Sequence, residues 1–221
     1  MMGGAPPRVS GTEEGHEVLG FSPLALFGGT FDPVHNDHLL MARLALEQIP
    51  LEGVLFIPAW MPPHKREAPM APFSDRLQML RLAVADDPRL DVSDIEARRG
   101  GYSFTVHTLR DLARARSERR IFYFVMGSDT LRELGTWKEP EGFAAMAHPL
   151  VIRREGFEPE PPAGLPVRFT VLEGGPCDLS GTGVRRAVEE GGGVDGMVPR
   201  PVADYIREKG LYRSGGRSGD A

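Results

Sequence analysis

The chemistry-bearing residues of this chain crowd into Phe27-Gly28-Gly29-Thr30-Phe31-Asp32-Pro33-Val34-His35-Asn36-Asp37-His38, where an apolar run breaks on two glycines and two histidines follow, three apart. Glycines at 28 and 29 let backbone N–H groups approach a polyphosphate with no Cβ in the way, and a helix opening near Asn36 adds the positive end of its dipole. At i, i+3 the His35 and His38 imidazoles share one face of that first turn. Each can donate a hydrogen bond to a phosphate oxygen or carry positive charge where negative charge accumulates. Phosphate binding is the expected chemistry. Other readings of the same pieces stay open: Gly-Gly after a strand also makes a plain turn, and paired helical histidines also ligate metals or sit in solvent. This segment contains no G-x-G-x-x-G, and no Walker lysine follows it.

A second set lies far along the chain, in Asp178-Leu179-Ser180-Gly181-Thr182-Gly183-Val184-Arg185-Arg186, with a helical stretch at Ala187–Glu190. Ser180 or Thr182 can cap that helix and still present N–H groups and a hydroxyl to a phosphate, and Arg185 adds a charge-assisted fork. Between the two sets, the Pro-rich stretch Pro58–Pro72 with its basic Pro62-Pro63-His64-Lys65-Arg66 is too polar and broken for a core element. It reads as a basic loop over the site, or as a solvated charge run.

The elements that must position these residues follow from periodicity. Apolar runs at Leu24–Phe27, Val54–Ile57, Ile121–Met126 and Leu150–Ile152, with an alternating Val167-x-Phe169-x-Val171, predict strands. Helical patterns fall between them: His38–Gln48, a helix capped by Ser74 that carries Leu77, Leu80 and Val84, and Thr105–Arg116. Alternation of this kind predicts a doubly wound α/β fold, a parallel sheet with helices on both faces. The continuous runs at 54–57 and 121–126 are expected to be its two central strands. Polar punctuation clusters after the strands at Gly28-Gly29-Thr30, Pro58-Ala59-Trp60 and Gly127-Ser128-Asp129, so the chemistry belongs at the carboxyl edge of the sheet.

The bulk numbers narrow the class. With 41% apolar residues the chain can bury one substantial core, and a net charge of −5 argues against a general nucleic-acid binder. The lone Cys177 excludes an intrachain disulfide and suits a reducing compartment, and no apolar run approaches a membrane span or a secretory signal, so a cytoplasmic protein is expected. Residues 1–22 and 213–221 are Gly-rich and aperiodic and are expected to be flexible ends around one domain spanning 23–212.

Taken together, the two motifs resemble the nucleotidylyltransferase superfamily, with its H-x-G-H near the start and its S-S/T-x-x-R near the end. The resemblance narrows to the bacterial nicotinate mononucleotide adenylyltransferases through GGTFDPVHNDH at 28–38, PPHK at 62–65, Arg76, Leu77 and Met79, SFTVHTL at 103–109, GSD at 127–129, Trp137-Lys138, and PRPVADYIREKGLY at 199–212. It covers about residues 24–212 in colinear order. It implies a Rossmann-like fold and transfer of AMP from ATP to nicotinate mononucleotide by direct in-line displacement, giving deamido-NAD and pyrophosphate. It also implies roles. Gly28, Gly29, Thr30 and Phe31 line the ATP; His35 and His38 act on its phosphates; Gly127 and Asp129 meet its ribose side. Ser180, Thr182 and Arg185 hold the β and γ phosphates, with Arg185 catalytic alongside the histidines. Lys65 faces the mononucleotide phosphate, Thr105 receives the nicotinate carboxylate and Trp137 stacks on the pyridine ring. Mg2+ is expected to arrive with ATP, with no dedicated protein site, and a homo-oligomer is left open.

The chain departs from the family pattern at Asp37, which stands where H-x-G-H has glycine, at Gly181, where a second hydroxyl is usual, at His107 for a commonly acidic residue and at Phe104 for an aromatic hydroxyl. Asp37 adds bulk and charge beside an anion site; it is expected to point into solvent and leave the enzyme active. Rival readings are a sibling transferase using nicotinamide mononucleotide or pantetheine phosphate, and a nucleotide-binding protein without catalysis.

Overall fold

The computed structural model describes residues 23–63, 70–115, 122–174 and 178–213. Six strands form one parallel sheet: β1 (Leu24–Gly29), β2 (Gly53–Pro58), β3 (Leu90–Val92), β4 (Phe122–Gly127), β5 (Ala147–Ile152) and β6 (Thr170–Val171), in the order β3-β2-β1-β4-β5-β6. The chain starts in the middle and winds outward in both directions, which leaves a crevice between β1 and β4 where the winding reverses. The helices are α1 (Asn36–Gln48), α2 (Phe73–Val84), α3 (Ile95–Arg99), α4 (Thr105–Ala115), α5 (Ser128–Glu133), α6 (Pro140–Met146), α7 (Gly181–Glu189) and α8 (Arg200–Lys209), with a 3-10 turn at Leu134–Thr136.

Strand alternation divides the core into two layers. Ala25, Phe27, Val54, Phe56, Val125, Leu150 and Ile152 face one side, packed with Met41 and Ala45 of α1, Met79 and Leu80 of α2, Val184 of α7 and Ile206 of α8. Leu26, Ile57, Phe122, Phe124, Met126 and Val151 face the other, against Leu109 and Leu112 of α4, Leu131 of α5 and Phe143 of α6. Period-2 side-chain alternation on strands covered on both faces gives this two-layer burial.

The α/β class, the parallel sheet and the principal strands agree with the sequence reading. The centre of the sheet does not: β4 is central as expected, but its partner there is β1, with β2 one place outward. A continuous apolar run reports cover on both faces, which β2 has, and says nothing of rank in the sheet. α2 also begins at Phe73, with Pro72 as its N-cap and no side-chain capping bond, so Ser74 lies inside the helix. The alternating stretch at 167–171 forms strand only over Thr170–Val171, where it pairs with β5. Of the expected flexible ends, 1–22 and 213–221, all but Arg213 lie outside the described residues.

Candidate active site

The carboxyl end of β1 is folded around His38. Beyond Gly29, Phe31 adopts a positive φ of 49°, a conformation costly for a side chain with Cβ. Burial of its ring offsets that cost: Phe31 is 2% exposed, edge-on to Phe27 at 5.5 Å and to the His38 ring at 4.9 Å between centroids. The Phe31 ring therefore lies in the core, and its backbone is the part of it that faces the end of β1.

His35 is the N-cap of α1, and its backbone N–H donates to Nδ1 of His38 at 3.2 Å. That bond occupies Nδ1 as acceptor, so neutral His38 carries its proton on Nε2, where it can be donated onward. The two imidazoles stack at 3.6 Å. His35 itself is 4% exposed, its Nδ1 has no hydrogen-bond partner, and burial, assisted by the positive charge of Arg154, pushes its pKa down to about 4. Of the two roles open to His35, hydrogen-bond donor or positive charge, burial favours the first: its imidazole is uncharged at neutral pH.

The second motif docks directly on the first. Ser180 caps α7 by accepting the Gly183 N–H at 3.1 Å, which leaves its own hydroxyl proton to be donated. Arg185 donates to the Asp32 carbonyl at 2.6 Å and to the Thr182 hydroxyl at 3.1 Å, and its guanidinium lies 3.6 Å from the Asp32 carboxylate. Asp32 is buried and accepts bonds from the Ala71 N–H and the Tyr212 hydroxyl, so one carboxylate fixes three segments around Arg185. Burial and that carboxylate raise the Tyr212 pKa far above its ordinary value. Gly181 is required by this docking, because a Cβ there would stand 2.8 Å from the Asp32 carbonyl oxygen.

Asp37 does not point into solvent as expected. Its carboxylate accepts the Leu179 N–H at 2.8 Å, across 142 residues of sequence. The Leu179 carbonyl in turn accepts from Arg154 Nη1 at 3.3 Å.

Arg154 is the site residue that sequence reasoning missed. It follows β5, its backbone N–H donates to the buried Ser128 hydroxyl at 2.9 Å, and its guanidinium lies 3.9 Å from the Asp129 carboxylate. A Cβ on Gly127 would come within 2.3 Å of Asp129 Oδ1 and 3.0 Å of the Arg154 side chain, so both side chains would have to shift to admit one. Polar residues after strands were the signal, and it extends to Arg153-Arg154. Arg76, known to the sequence reading only as a family mark, is 1% exposed and donates to the carbonyls of Thr30, Ala59 and Ala71, tying the loops after β1 and β2 together.

On the other side of the crevice Thr105, at the start of α4, lines a small cleft with Gly28, Leu26, Ile57, Glu96, Thr108, Leu109 and Phe124. Trp137 is half-buried and edge-on to Phe124 at 6.0 Å and Phe143 at 5.3 Å, so it abuts the cleft through Phe124 and is in part a core residue. In the wall of the cleft, Glu96 accepts the Thr108 hydroxyl at 2.6 Å while its Oε2 has no partner, and Arg99 lies 3.9 Å from its Oε1. Lys65 lies outside the described residues, as do His64 and Cys177. Among the described residues no group of three or more His, Cys, Asp or Glu is placed to hold a metal ion.

Two turns rich in nitrogen donors thus converge on the carboxyl edge of a parallel sheet at its switch point, the arrangement of an enzyme that handles nucleotide phosphates. Comparison with known proteins agrees. Residues 26–187 match the cytidylyltransferase-like family. A "probable nicotinate-nucleotide adenylyltransferase" of Synechococcus sp. is 40% identical over 195 residues, covering 86% of this chain and 96% of that one. One so named from Thermus thermophilus is 44% identical over 191 residues, covering 86% and 99%. Among solved structures, Plasmodium falciparum nicotinic acid mononucleotide adenylyltransferase complexed with NaAD has the same fold, with a TM-score of 0.73 at 16% identity over 87% of this chain and 98% of that one. The chain belongs to the cytidylyltransferase-like nucleotidyltransferases and, within them, to the nicotinate-nucleotide adenylyltransferases.

Proposed function

We infer that the chain transfers the AMP moiety of ATP to nicotinate mononucleotide, forming deamido-NAD and pyrophosphate. The observation that carries this reading is the docking of Arg185 on the Asp32 carbonyl, which sets the N-terminus of α7 against the His35–His38 turn of α1. On this reading the triphosphate is bound by helix N-termini, His38 Nε2 and the guanidinium groups of Arg154 and Arg185, all donors suited to phosphate oxygens.

The reaction needs position and charge stabilisation more than a base. A phosphate oxygen of the mononucleotide attacks the α-phosphorus of ATP, a new P–O bond forms, and the bond to the β-phosphate oxygen breaks in line with it. The nucleophile is already anionic, so no proton has to be removed. Charge grows on the departing pyrophosphate, where His38, Arg185 and the N–H groups of α7 donate. Gly28, Gly29, Thr30 and Phe31 offer backbone to the nucleotide, and Asp129 is read as the acceptor for the ribose hydroxyls. Ser180 and Thr182 add hydroxyls on the β and γ phosphates. Donors of this kind suit phosphate oxygens rather than a hard cation, so Mg2+ is read as entering with ATP as part of the substrate.

On the acceptor side we assign the mononucleotide phosphate to Lys65, the pyridine ring to Trp137 and its carboxylate to Thr105. The amidated substrate has one observation in its favour: the unpartnered Glu96 Oε2 beside the cleft would accept an amide N–H and repel a carboxylate. Catalysis is favoured over binding alone because Asp37 is bonded to Leu179. No helix among the described residues is long and apolar enough to cross a membrane, and we assign the protein to the cytoplasm as one domain over 23–212. Pyrophosphate release with ATP and nicotinate mononucleotide, nicotinamide mononucleotide or pantetheine phosphate tests the assignment. The acid should be the best acceptor; preference for either alternative identifies a sibling transferase, and release with none of them contradicts catalysis.

A further inference from the structure

In a family whose motif has glycine, aspartate at 37 introduces a side chain that reaches from the first turn of α1 to the second motif. Glycine has no atom that could make this contact. The Leu179 backbone is held at both of its peptide units, its N–H by the Asp37 carboxylate at 2.8 Å and its carbonyl by Arg154 Nη1 at 3.3 Å. Leu179 directly precedes Ser180, the N-cap of α7, so fixing its backbone fixes the direction in which α7 enters the site. The carboxylate also sits where the α1 dipole favours negative charge, and its bond to the N–H is charge-assisted.

We propose that Asp37 is a positioning residue that holds the 178–180 loop against α1, so that the N-terminus of α7 and Arg185 are already set for the ATP triphosphate before ATP binds. The proposal rests on the adenylyl-transfer reading for its kinetic consequences only. Without the tie, ordering of the loop is deferred to ATP binding and weakens it. The charge that would repel ATP from a crevice-facing carboxylate is instead directed at the Leu179 N–H.

Steady-state kinetics of Asp37→Gly, Asp37→Ala and Asp37→Asn test this. Glycine and alanine differ in helix propensity but both lose the acceptor, so both should raise KM for ATP about tenfold, the worth of one such hydrogen bond, with KM for the mononucleotide unchanged. Asparagine keeps an acceptor oxygen and should recover most of the loss. Tighter ATP binding in all three would show that charge repulsion dominates and overturn the proposal, as would unchanged KM values. Amide hydrogen exchange without substrate gives a readout independent of activity: exchange over 178–183 should quicken in the glycine and alanine variants and be restored in the asparagine variant. Unaltered exchange in that segment overturns the proposal even if transfer occurs. Faster exchange there in a chain that releases no pyrophosphate leaves the positioning role standing and rejects the catalytic reading. If glycine at 37 unfolds the chain, alanine and asparagine carry the comparison.

Discussion

His35 and His38 share a turn but are set up for different work. His38 is half-buried with Nδ1 taken by a backbone N–H, which leaves Nε2 as donor, whereas His35 is buried beneath it and uncharged at neutral pH. His38→Ala should lower kcat on the order of 10²-fold, with a smaller effect on mononucleotide KM, because its contact strengthens as pyrophosphate leaves. Unchanged kcat in steady-state assays would remove His38 from the chemistry. For His35 the sign follows from linkage. Its folded pKa of about 4 lies below the ordinary 6.5, so between those values the unfolded chain binds a proton that the folded chain refuses. Stability is then complete above 6.5 and falls as pH drops towards 4, by a few kcal/mol. Denaturant unfolding at about pH 4.5 and about pH 7 should show a smaller stability difference in His35→Gln than in the unaltered chain; an equal difference contradicts the burial account. The histidine pair was legible from spacing alone, but the uncharged state of His35 was not, because it depends on burial and on Arg154, which carries no motif.

At the scale of elements, the site is a joint between α1 and α7, and its tightness is set by small residues as much as by charged ones. Gly181 marks the closest approach, with room for no Cβ beside the Asp32 carbonyl. Gly181→Ala, or Gly181→Ser to restore the family's second hydroxyl, should push α7 away by a few tenths of an ångström. ATP KM should rise several-fold while the mononucleotide KM holds, since misplacement of donors is costly for phosphate chemistry. Tighter ATP binding in the serine variant would mean that the hydroxyl outweighs the fit. Periodicity revealed α1, α4 and the long strands, whose apolar faces are regular. It missed α3, α5 and α6, which are too short for a helical period to register, and it left α8 as a family mark because only Val202, Ala203 and Ile206 face inward among charged residues. Trp137 looked like a loop residue by its polar neighbours, yet Phe143 of α6 and Phe124 of β4 hold it, a long-range contact that local composition does not encode.

Across the whole molecule, a sheet wound outward from β1 places both motifs at one edge, beside the crevice proposed as the ligand site. With a net charge of −5, attraction of anionic substrates falls to local cations rather than to the protein's overall field. The sequence showed that the chemistry sits at strand ends, but not which strands are central, because continuous apolar runs identify covered strands without ordering them. Asp32, Arg76 and Tyr212 were invisible as a set for a related reason: each matters through partners distant in sequence. A molecule built to position and stabilise, with no covalent intermediate on the chain, should pass AMP straight from one bound substrate to the other. The most direct measurement follows the α-phosphorus of ATP through a single turnover, using ATP labelled there and made chiral with sulfur, in the presence of nicotinate mononucleotide. The label should appear in deamido-NAD with inverted configuration at phosphorus and never on the acid-quenched protein. Retained configuration, label on the chain, or no transfer to the mononucleotide would contradict the account.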